Sequence, residues 1–333
     1  MFTRHSVASQ NALAAAEDFA SDVEYYLTQE PRQLPSRYLY DALGSALFDA
    51  ICELPWYRIT RAELGLLETH GRAIFAHMAP LSRIVELGPG NGAKLMKLVE
   101  AGRESTRRLE CHLTLHLIDV SPKALDQSSY ALASLNDADV DIVTHEAPYE
   151  AGLIDATREA RPGVRTLVLF LGSNIGNFDR PGAGAFLSGI RAALAPGDGL
   201  LVGADLVKPE RELLLAYDDP LGVTAAFNLN LLVRINRELG GQFDIDAFAH
   251  RAVWNAEESR VEMHLVSRRR QRVRVAAAGV DFTMDEGETI WTESSYKYQP
   301  AELALMIERA GFRFADEWLA DQGRFALTLV TAA

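Results

Sequence analysis

The sequence predicts an α/β fold, in which helices cover a mostly parallel sheet and a smaller α+β region is added. Three observations carry this prediction. Strand-like and helix-like segments alternate between residues 83 and 205, a glycine-rich turn follows the first strand, and the alternation stops near residue 206. Such alternation is typical of parallel sheets, because each helix returns the chain to the start of the next strand.

The alternating region and the chain end contain the predicted strands of the main sheet. Apolar residues between the strands recur at helical spacing, which indicates amphipathic helices. The predicted strands are residues 83–87, 113–118, 140–144, 166–171, 199–205, 313–318 and 324–330, and the helices are residues 93–102, 122–135, 182–194 and 300–310.

Outside the alternating region, the pattern predicts helices first and antiparallel strands later. Thr60 and Glu63 have the spacing of a capping box, in which two side chains close the first turn of a helix. A basic run at residues 268–272 is expected to be an exposed hairpin connection. The predicted helices are residues 8–29, 38–54, 61–78 and 209–240, and the strands are residues 248–254, 260–266, 272–276 and 288–291.

The composition argues against two classes of partner. The 333 residues carry a net charge of −13, whereas phosphate backbones need a basic surface, so we expect no nucleic-acid partner. No apolar run approaches the ~20 residues of a membrane span, and the N-terminus lacks the apolar core of a signal peptide. Cys52 and Cys111 have no metal-ligand spacing. We therefore expect a cytoplasmic protein with reduced thiols and no bound metal or membrane.

The most informative segment joins the first strand to its helix. There Glu86 precedes a G-x-G-x-G turn formed by Gly88, Gly90 and Gly92, and Asp119 ends the next strand. Glycines let the backbone approach a ligand, and a carboxylate at the next strand end can accept hydrogen bonds from two ribose hydroxyls. These residues predict a nucleotide-binding βαβ unit.

The spacing of the glycines indicates which nucleotide is bound. Most dinucleotide sites have a G-x-G-x-x-G turn, whereas this turn resembles motif I of class I S-adenosylmethionine (SAM) methyltransferases, whose ligand has no phosphate. The resemblance implies a Rossmann-like domain with an antiparallel last strand and SAM as the cofactor. A nicotinamide-dependent oxidoreductase is the alternative that this spacing disfavours.

The change of pattern near residue 206 predicts a discontinuous domain organisation. The terminal helix and strands resemble the segment with which class I methyltransferases finish their sheet. We therefore expect a SAM-binding domain over residues 63–206 and 299–333, and an α+β substrate-binding domain over residues 1–62 and 207–298.

Motifs along almost the whole chain carry a second resemblance. They include Leu54-Pro55-x-Tyr57, Phe170–Asn177, Asp205–Lys208, Ala216–Asp219, Phe227-Asn228, Val261–Met263 and Thr292-Glu293-x-Ser295-x-Lys297. The set resembles the histidine-specific methyltransferases of ergothioneine biosynthesis, which transfer three methyl groups to the α-amino nitrogen of L-histidine. The resemblance implies a monomeric enzyme that converts L-histidine to trimethylhistidine (hercynine).

This second resemblance implies roles for the cofactor-side residues. Asp119 would take the ribose hydroxyls and Lys94 the methionyl carboxylate of SAM, beside the turn at Gly88 and Gly90. The family has an Asp-Phe pair at the adenine, where this chain has Glu146-Ala147. Glu146 can still accept from the adenine amino group, but the aromatic ring is missing. Tyr149 is the candidate replacement.

The same resemblance implies the substrate-side residues. A carboxylate and a hydroxyl suit imidazole, which has one N–H donor and one acceptor when neutral. Tyr40 would act at the amino group as the catalytic residue, and Met263 would pack on the ring. The remaining contacts are Asn177 and Tyr217 to the substrate carboxylate, Tyr57, Glu293 and Ser295 to the imidazole, and Gly172 and Asn174 along the floor of the site.

Several alternatives stay open from the sequence. Asn177 alone could be the cap of the following helix, Met263 alone could be a core residue, and Glu293 and Ser295 could face solvent. The chain could methylate another amino acid such as tryptophan, although Glu293 and Met263 favour histidine. It could also be a SAM-binding module without catalysis, although the complete set of ligand residues speaks against this.

Overall fold

The computed structural model describes residues 17–103, 112–135, 139–158 and 163–333. The chain forms two compact units, each built from two stretches of sequence. We call Arg58–Lys208 with Tyr296–Ala333 the sheet unit, and Met1–Tyr57 with Pro209–Ser295 the meander unit. The predicted helix over residues 8–29 is helical over residues 17–27, and its first part lies outside the described residues, as does Cys111.

The described helices and strands follow the predicted order. The helices are α1 (17–27), α2 (Ala42–Glu53), α3 (Ile59–Met78), α4 (Ala93–Arg103), α5 (Pro122–Leu132), α6 (Tyr149–Thr157), α7 (Arg180–Ala193), α8 (Glu210–Tyr217), α9 (Val223–Leu239) and α10 (Pro300–Arg309). The strands are β1 (Leu81–Leu87), β2 (Leu113–Asp119), β3 (Val140–Glu146), β4 (Arg165–Phe170), β5 (Gly199–Asp205), β6 (Phe248–Asn255), β7 (Arg260–Ser267), β8 (Gln271–Val275), β9 (Val280–Met284), β10 (Thr289–Tyr296), β11 (Phe312–Ala320) and β12 (Phe325–Ala332).

The sheet unit contains one seven-stranded sheet in the order β3-β2-β1-β4-β5-β12-β11. The first five of these strands pair in parallel, and β12 pairs antiparallel with both β5 and β11. The predicted α/β class and the antiparallel last strand are confirmed. Because all parallel strand ends meet at one edge, the residues after β1, β2 and β4 are placed for ligand binding.

Burial on both faces explains why the central strands are almost continuously apolar. Every residue of β5 is buried, as is all of β4 except its first residue. Val85, Phe170 and Leu200 from the strands share one core cluster with Phe186 of α7 and Ile307 of α10. Parallel strands need such a composition, since helices cover them on both sides.

The predicted capping box at the start of α3 is wrong. The helix begins at Ile59, and no side chain caps its first turn. Glu63 is fully buried, and its carboxylate accepts a hydrogen bond from the backbone of Gly172 and pairs with Lys94. A buried carboxylate needs such partners, and the tertiary contact therefore takes the group that the local motif would have used.

The meander unit differs from its prediction in two places. The single helix expected over residues 209–240 is two helices, α8 and α9, because Asp219 between them accepts from the backbone N–H groups of Leu221, Val223 and Thr224. The strands form two small sheets, β10-β7-β6 and β8-β9, and the sequence pattern did not indicate β9. The basic run therefore connects two sheets and is not a hairpin.

Candidate active site

The glycine turn after β1 has a backbone conformation that favours glycine. Gly88, Gly90 and Gly92 have φ values of +75°, +55° and +78°. A Cβ added to Gly88 would lie 2.7 Å from the hydroxyl of Tyr149, whereas a Cβ on Gly90 would meet nothing within 4 Å. The turn is thus closed on one side by Tyr149 and open at Gly90, where a ligand can approach the backbone.

The carboxylates at the ends of β2 and β3 are direct neighbours across the sheet. Asp119 and Glu146 are paired in register, and the N–H of Ala147 donates to the backbone carbonyl of Asp119. Burial raises the pKa of Asp119, although backbone hydrogen bonds from Ser121 and Val120 act against this shift. Asp119 is half-buried and Glu146 is exposed, so both can accept from a ligand.

Glu86 is a buried carboxyl group beside the glycine turn. It is 1% exposed, and its Oε2 atom has no hydrogen-bond partner within the protein. Burial raises its pKa to about 8, with Glu63 adding to the shift and Lys94 opposing it. An acceptor left unpaired in a buried position is costly, which makes Glu86 a candidate to receive a donor from a ligand.

Glu63 connects two of the predicted site residues. Its Oε2 atom lies 2.8 Å from Nζ of Lys94, and the N–H of Gly172 donates to the same carboxylate at 2.9 Å. Gly172 has a φ of +78°, and a Cβ there would lie 2.8 Å from Nζ of Lys94. Glu63 therefore fixes both a cation and a backbone turn. The sequence could not reveal this role, since the spacing of Glu63 matched a local capping motif.

Tyr149 lies where α6 begins and joins the sheet core to the glycine turn. Its ring packs edge-on against Phe170, with the ring centroids 6.1 Å apart. Burial raises its pKa, with Asp119, Glu150 and Glu86 adding to the shift. Tyr149 thus lies close to the predicted cofactor residues, while the neighbouring Ala147 contributes no ring.

The segment after β4 carries the other predicted residues of the sheet unit. Asn174 lies beside Gly88 and Gly172, with its amide within 4 Å of a Cβ added to either glycine. Asn177 is exposed at the end of a short 3-10 turn. The cap of α7 is Asp179, whose Oδ1 accepts from the N–H of Gly182 at 2.7 Å. Capping therefore does not explain Asn177.

The predicted substrate residues of the meander unit form one cluster. The hydroxyl of Tyr217 donates to Oγ of Ser295 at 2.8 Å, and the ring centroids of Tyr57 and Tyr217 lie 6.3 Å apart. Burial raises the pKa of Tyr57 well above its usual value, with Tyr217, Cys52, Tyr40 and Glu293 adding to the shift. Tyr40, Tyr57, Tyr217, Glu293 and Ser295 are thus brought together.

Two phenylalanines complete this cluster, and the sequence analysis gave them no role. The ring of Tyr40 lies 5.5 Å from the rings of both Phe48 and Phe227, and Phe48 lies 6.1 Å from Tyr57. Phe227 occurs in one of the motifs that carry the family resemblance, and no local signal separates a core ring from one that lines a site.

The strand β10 presents its two faces to different surroundings. Glu293 is half-buried and Ser295 is buried, so the alternative that both face solvent is wrong. Thr292, on the opposite face, donates to the backbone carbonyl of Met263 at 3.0 Å. Met263 itself is buried in β7. Within the described residues, no group of three or more His, Cys, Asp or Glu side chains is placed to hold a metal ion.

The sheet order, the glycine turn and the acid after β2 define the class of protein. A parallel β3-β2-β1-β4-β5 set, followed by an antiparallel β12 and by β11 in the direction of the parallel set, is the sheet of a class I SAM-dependent methyltransferase. Residues 19–332 match the model of the histidine-specific, SAM-dependent methyltransferases. The chain belongs to that family and is a SAM-dependent methyltransferase.

Curated relatives are similar over nearly the whole chain. The histidine N-alpha-methyltransferase of Mycolicibacterium smegmatis is 41% identical over 318 residues, which cover 95% of this chain and 95% of that protein. The histidine N-alpha-methyltransferase of Mycobacterium tuberculosis is 39% identical, with 92% and 93% covered. The L-tryptophan methyltransferase of Psilocybe serbica is 26% identical, with 90% and 88% covered.

Solved structures are similar at a lower level. The magnesium protoporphyrin IX methyltransferase of Synechocystis has a TM-score of 0.46 and 10% identity, covering 90% of this chain and 98% of that one. This value is too low to add to the fold assignment, which rests on the sheet order. Among the described residues, no helix is both long and apolar enough to cross a membrane.

Proposed function

We propose that the chain transfers three methyl groups in succession from SAM to the α-amino nitrogen of L-histidine, giving trimethylhistidine (hercynine) for ergothioneine biosynthesis. The observation that carries this proposal is the cluster of Tyr57, Tyr217, Glu293 and Ser295 in the meander unit. It supplies an acceptor and hydroxyl groups, the chemistry that an imidazole and a carboxylate require. The family match and the two histidine N-alpha-methyltransferases support the same substrate.

The chemistry of the sheet unit fits SAM, which supplies a methyl group on an electrophilic sulfonium. Gly88 and Gly90 leave the backbone accessible, and Asp119 and Glu146 offer carboxylates to the ribose and the adenine amino group. The unpaired Oε2 of buried Glu86 fits a ligand that brings an ammonium group. Ala147 cannot stack on adenine, and we propose that the ring of Tyr149 covers that side.

Lys94 has a second task in this proposal. Its ammonium pairs with Glu63, and the lysine has three N–H donors, so it can also bind the methionyl carboxylate. The Lys94–Glu63 pair would then hold this cation ready without a large loss of side-chain entropy on binding.

The proposed histidine contacts divide by chemical type. In the meander unit, the Tyr217 hydroxyl would turn its single hydrogen from Ser295 to the substrate carboxylate, while Tyr57, Glu293 and Ser295 would contact the imidazole and Met263 would lie beside the ring. In the sheet unit, Asn177 is a further candidate donor to the carboxylate, with Gly172 and Asn174 beside it. The hydroxyl of Tyr217 and the amide of Asn177 are neutral donors, from which a carboxylate can accept. A half-buried Glu293 favours a side chain with an N–H donor over a purely apolar one.

The nucleophile must be the neutral amine, and the meander unit offers surroundings that favour it. Tyr57 is buried among aromatic rings, and such surroundings disfavour a charged ammonium. We propose that Tyr40, directly or through a water, accepts a hydrogen bond from the N–H of the neutral amine in the first two transfers and so orients its lone pair. The dimethylated amine of the third transfer has no N–H and is held by the other substrate contacts. The product keeps a fixed positive charge, which the faces of Tyr40 and Tyr57 can stabilise.

Calorimetric titration with S-adenosylhomocysteine present tests the substrate directly. L-histidine, N,N-dimethylhistidine and L-tryptophan are titrated, and SAM turnover is followed by mass spectrometry. Binding of the two histidines, with a product heavier than histidine by three methylene units, is the expected result. Binding of tryptophan but neither histidine would overturn the substrate assignment and favour the runner-up, which the tryptophan methyltransferase relative represents.

Tyr40→Phe tests the role of the hydroxyl at the amino group. We expect a loss of about tenfold in the rates of the first two transfers with an almost unchanged affinity for SAM, as for the removal of one hydrogen bond. Unchanged rates for all three methylation steps would contradict the role.

The monomeric state and the cytoplasmic location predicted from the sequence belong to the same proposal, and the shortage of cysteines supports the location.

A further inference from the structure

A chain of buried hydrogen bonds runs through the meander unit, and the proposed function does not use it. Nε2 of His250 lies 2.8 Å from the backbone carbonyl of Tyr217, and Nδ1 lies 3.0 Å from Nδ2 of Asn228. Oδ1 of Asn228 lies 2.7 Å from Oγ1 of Thr292, which also lies 3.0 Å from the backbone carbonyl of Met263. Asn228 and Thr292 are almost completely buried.

The two ends of the chain determine the direction of its bonds. A backbone carbonyl can only accept, so Nε2 of His250 must carry the hydrogen that Tyr217 receives. Nδ2 of Asn228 also lies 3.3 Å from the backbone carbonyl of His264, which fixes the orientation of the amide. Nδ2 therefore donates to Nδ1 of His250. Oδ1 of Asn228 and the backbone carbonyl of Met263 both lie within hydrogen-bond distance of the Thr292 hydroxyl and share its single hydrogen.

This direction requires a neutral His250. A protonated ring would carry hydrogen on Nδ1 and point it at the N–H of Asn228, so one hydrogen bond would be lost. Burial lowers the pKa of His250, although Tyr217, Asp218 and Asp219 oppose the shift. The neutral ring with its hydrogen on Nε2 is thus the form that both the geometry and the burial favour.

The residues at the ends of the chain border the proposed histidine contacts. Tyr217 ends α8 and would hold the substrate carboxylate, while Thr292 directly precedes Glu293 at the imidazole. Asn228 lies between them on α9. We propose that Asn228 and His250 are positioning residues that set the spacing between the carboxylate-binding Tyr217 and the imidazole-binding β10, and so select an amino acid of histidine's length. This inference rests on the proposed function.

A double-mutant cycle tests whether His250 acts through Tyr217. His250→Phe keeps an aromatic ring and removes both hydrogen bonds. With S-adenosylhomocysteine present, we expect its Kd for L-histidine to rise by about tenfold or more. In a Tyr217→Phe background the same change should raise Kd by less than about twofold, because the residue being positioned has lost its contact. Equal factors in both backgrounds would overturn the inference.

Asn228→Asp provides a second test with a matched control on the same helix. The carboxylate cannot donate to a neutral His250, although it can accept from Nδ1 of a protonated ring. We therefore expect weaker L-histidine binding that partly recovers as pH falls, and unchanged S-adenosylhomocysteine binding. Asn236→Asp is the control. The side chain of Asn236, near the end of α9, hydrogen-bonds the backbone carbonyl and N–H of Phe243. This control variant should change thermal stability without changing the Kd for L-histidine.

The outcomes separate this inference from the proposed function. If the unmodified protein neither binds nor methylates L-histidine, the proposed function fails and the inference fails with it. If the unmodified protein binds L-histidine, but Asn228→Asp and Asn236→Asp raise the Kd for L-histidine by the same factor, the proposed function stands and the positioning role fails. A parallel loss of S-adenosylhomocysteine affinity in Asn228→Asp would indicate a general structural role and would also overturn the inference.

Discussion

The two compact units assemble their candidate ligand residues in different ways. In the sheet unit, Gly88, Asp119 and Glu146 lie at or directly after strand ends, so the strand topology brings them together. In the meander unit, Tyr217 and Ser295 touch although 78 residues separate them in the chain. A repeated strand–helix pattern therefore places a site by topology alone, whereas an irregular unit needs specific side-chain contacts to do so.

The units also differ in the kind of polar group that they bury. Among the described residues, the sheet unit buries the ionisable groups Glu63, Glu86, Asp198, Asp205 and Lys297, the last two 2.9 Å apart, whereas the meander unit buries the carboxylate of Asp219. The buried chain of the meander unit is neutral, from Tyr217 through His250 and Asn228 to Thr292. Loss of a buried charge partner costs more than loss of a neutral hydrogen bond. The sheet unit should therefore be the more sensitive to charge removal and to pH.

Of the substitutions considered, Glu63→Ala should lower the free energy of unfolding most. A smaller effect than that of a substitution in the meander unit would contradict the comparison between the units. Glu63→Ala removes the partner of Lys94 and the acceptor for the N–H of Gly172. We expect the free energy of unfolding to fall by about 3–5 kcal/mol, as for the breaking of other buried pairs. Urea unfolding measures it. Glu63→Gln is the control, since its amide oxygen still accepts from Gly172, and it should lose less. A loss under about 1 kcal/mol for Glu63→Ala would contradict the prediction.

Glu86→Gln should change how stability depends on pH. The pKa of Glu86 is about 8 in the folded protein against an ordinary 4.5, so the folded state holds the proton more tightly. Its contribution to stability is full below pH 4.5 and is lost as pH rises through 8. Between these limits the loss is on the order of 1 kcal/mol per pH unit.

Urea unfolding of the SAM-free protein at a series of pH values measures this effect. Glutamine resembles the protonated carboxyl group, so the variant should lose less stability than the unmodified protein as pH rises from 5 towards 8. Parallel curves for the two proteins would show that Glu86 does not bind its proton more tightly in the folded state. Asp119→Asn is a suitable control variant. Because Asp119 is less buried than Glu86, this substitution should change the pH dependence of stability less.

Asp219→Ala should have a smaller effect in the meander unit. Its carboxylate accepts from three backbone N–H groups at the start of α9, which lower its pKa against the opposing effect of burial. We expect a loss of about 1–2 kcal/mol near pH 7, as for the removal of a helix cap. Because the pKa is lowered, this contribution is present above the ordinary 3.8 and is lost as pH falls through the folded value.

Thermal unfolding of Asp219→Ala at pH 7 and below pH 4 checks the sign. The difference from the unmodified protein should shrink at the lower pH, where both states bind the proton. A stability difference that grows on acidification would contradict the predicted sign. A loss larger than that of Glu63→Ala would reverse the comparison between the two units.

Local sequence patterns were enough to predict the parallel sheet and the glycine turn, because hydrophobic periodicity and glycine conformation act over a few neighbouring residues. The antiparallel last strand was implied by the resemblance to class I methyltransferases. Strand alternation also determined that Glu293 and Ser295 share a face. The resemblance to the family supplied the candidate site residues, and it did not supply the partners that hold them.

The partners of the buried polar groups could be identified only in the folded chain. Glu63 has the spacing of a capping residue yet pairs with Lys94, and Asp219 divides a segment that reads as one helix. Phe48 and Phe227 join the aromatic cluster, and Asn228 and His250 link Tyr217 to β10. The reason is physical: a buried polar group must find a partner wherever the fold offers one, and that partner can come from any distance along the chain.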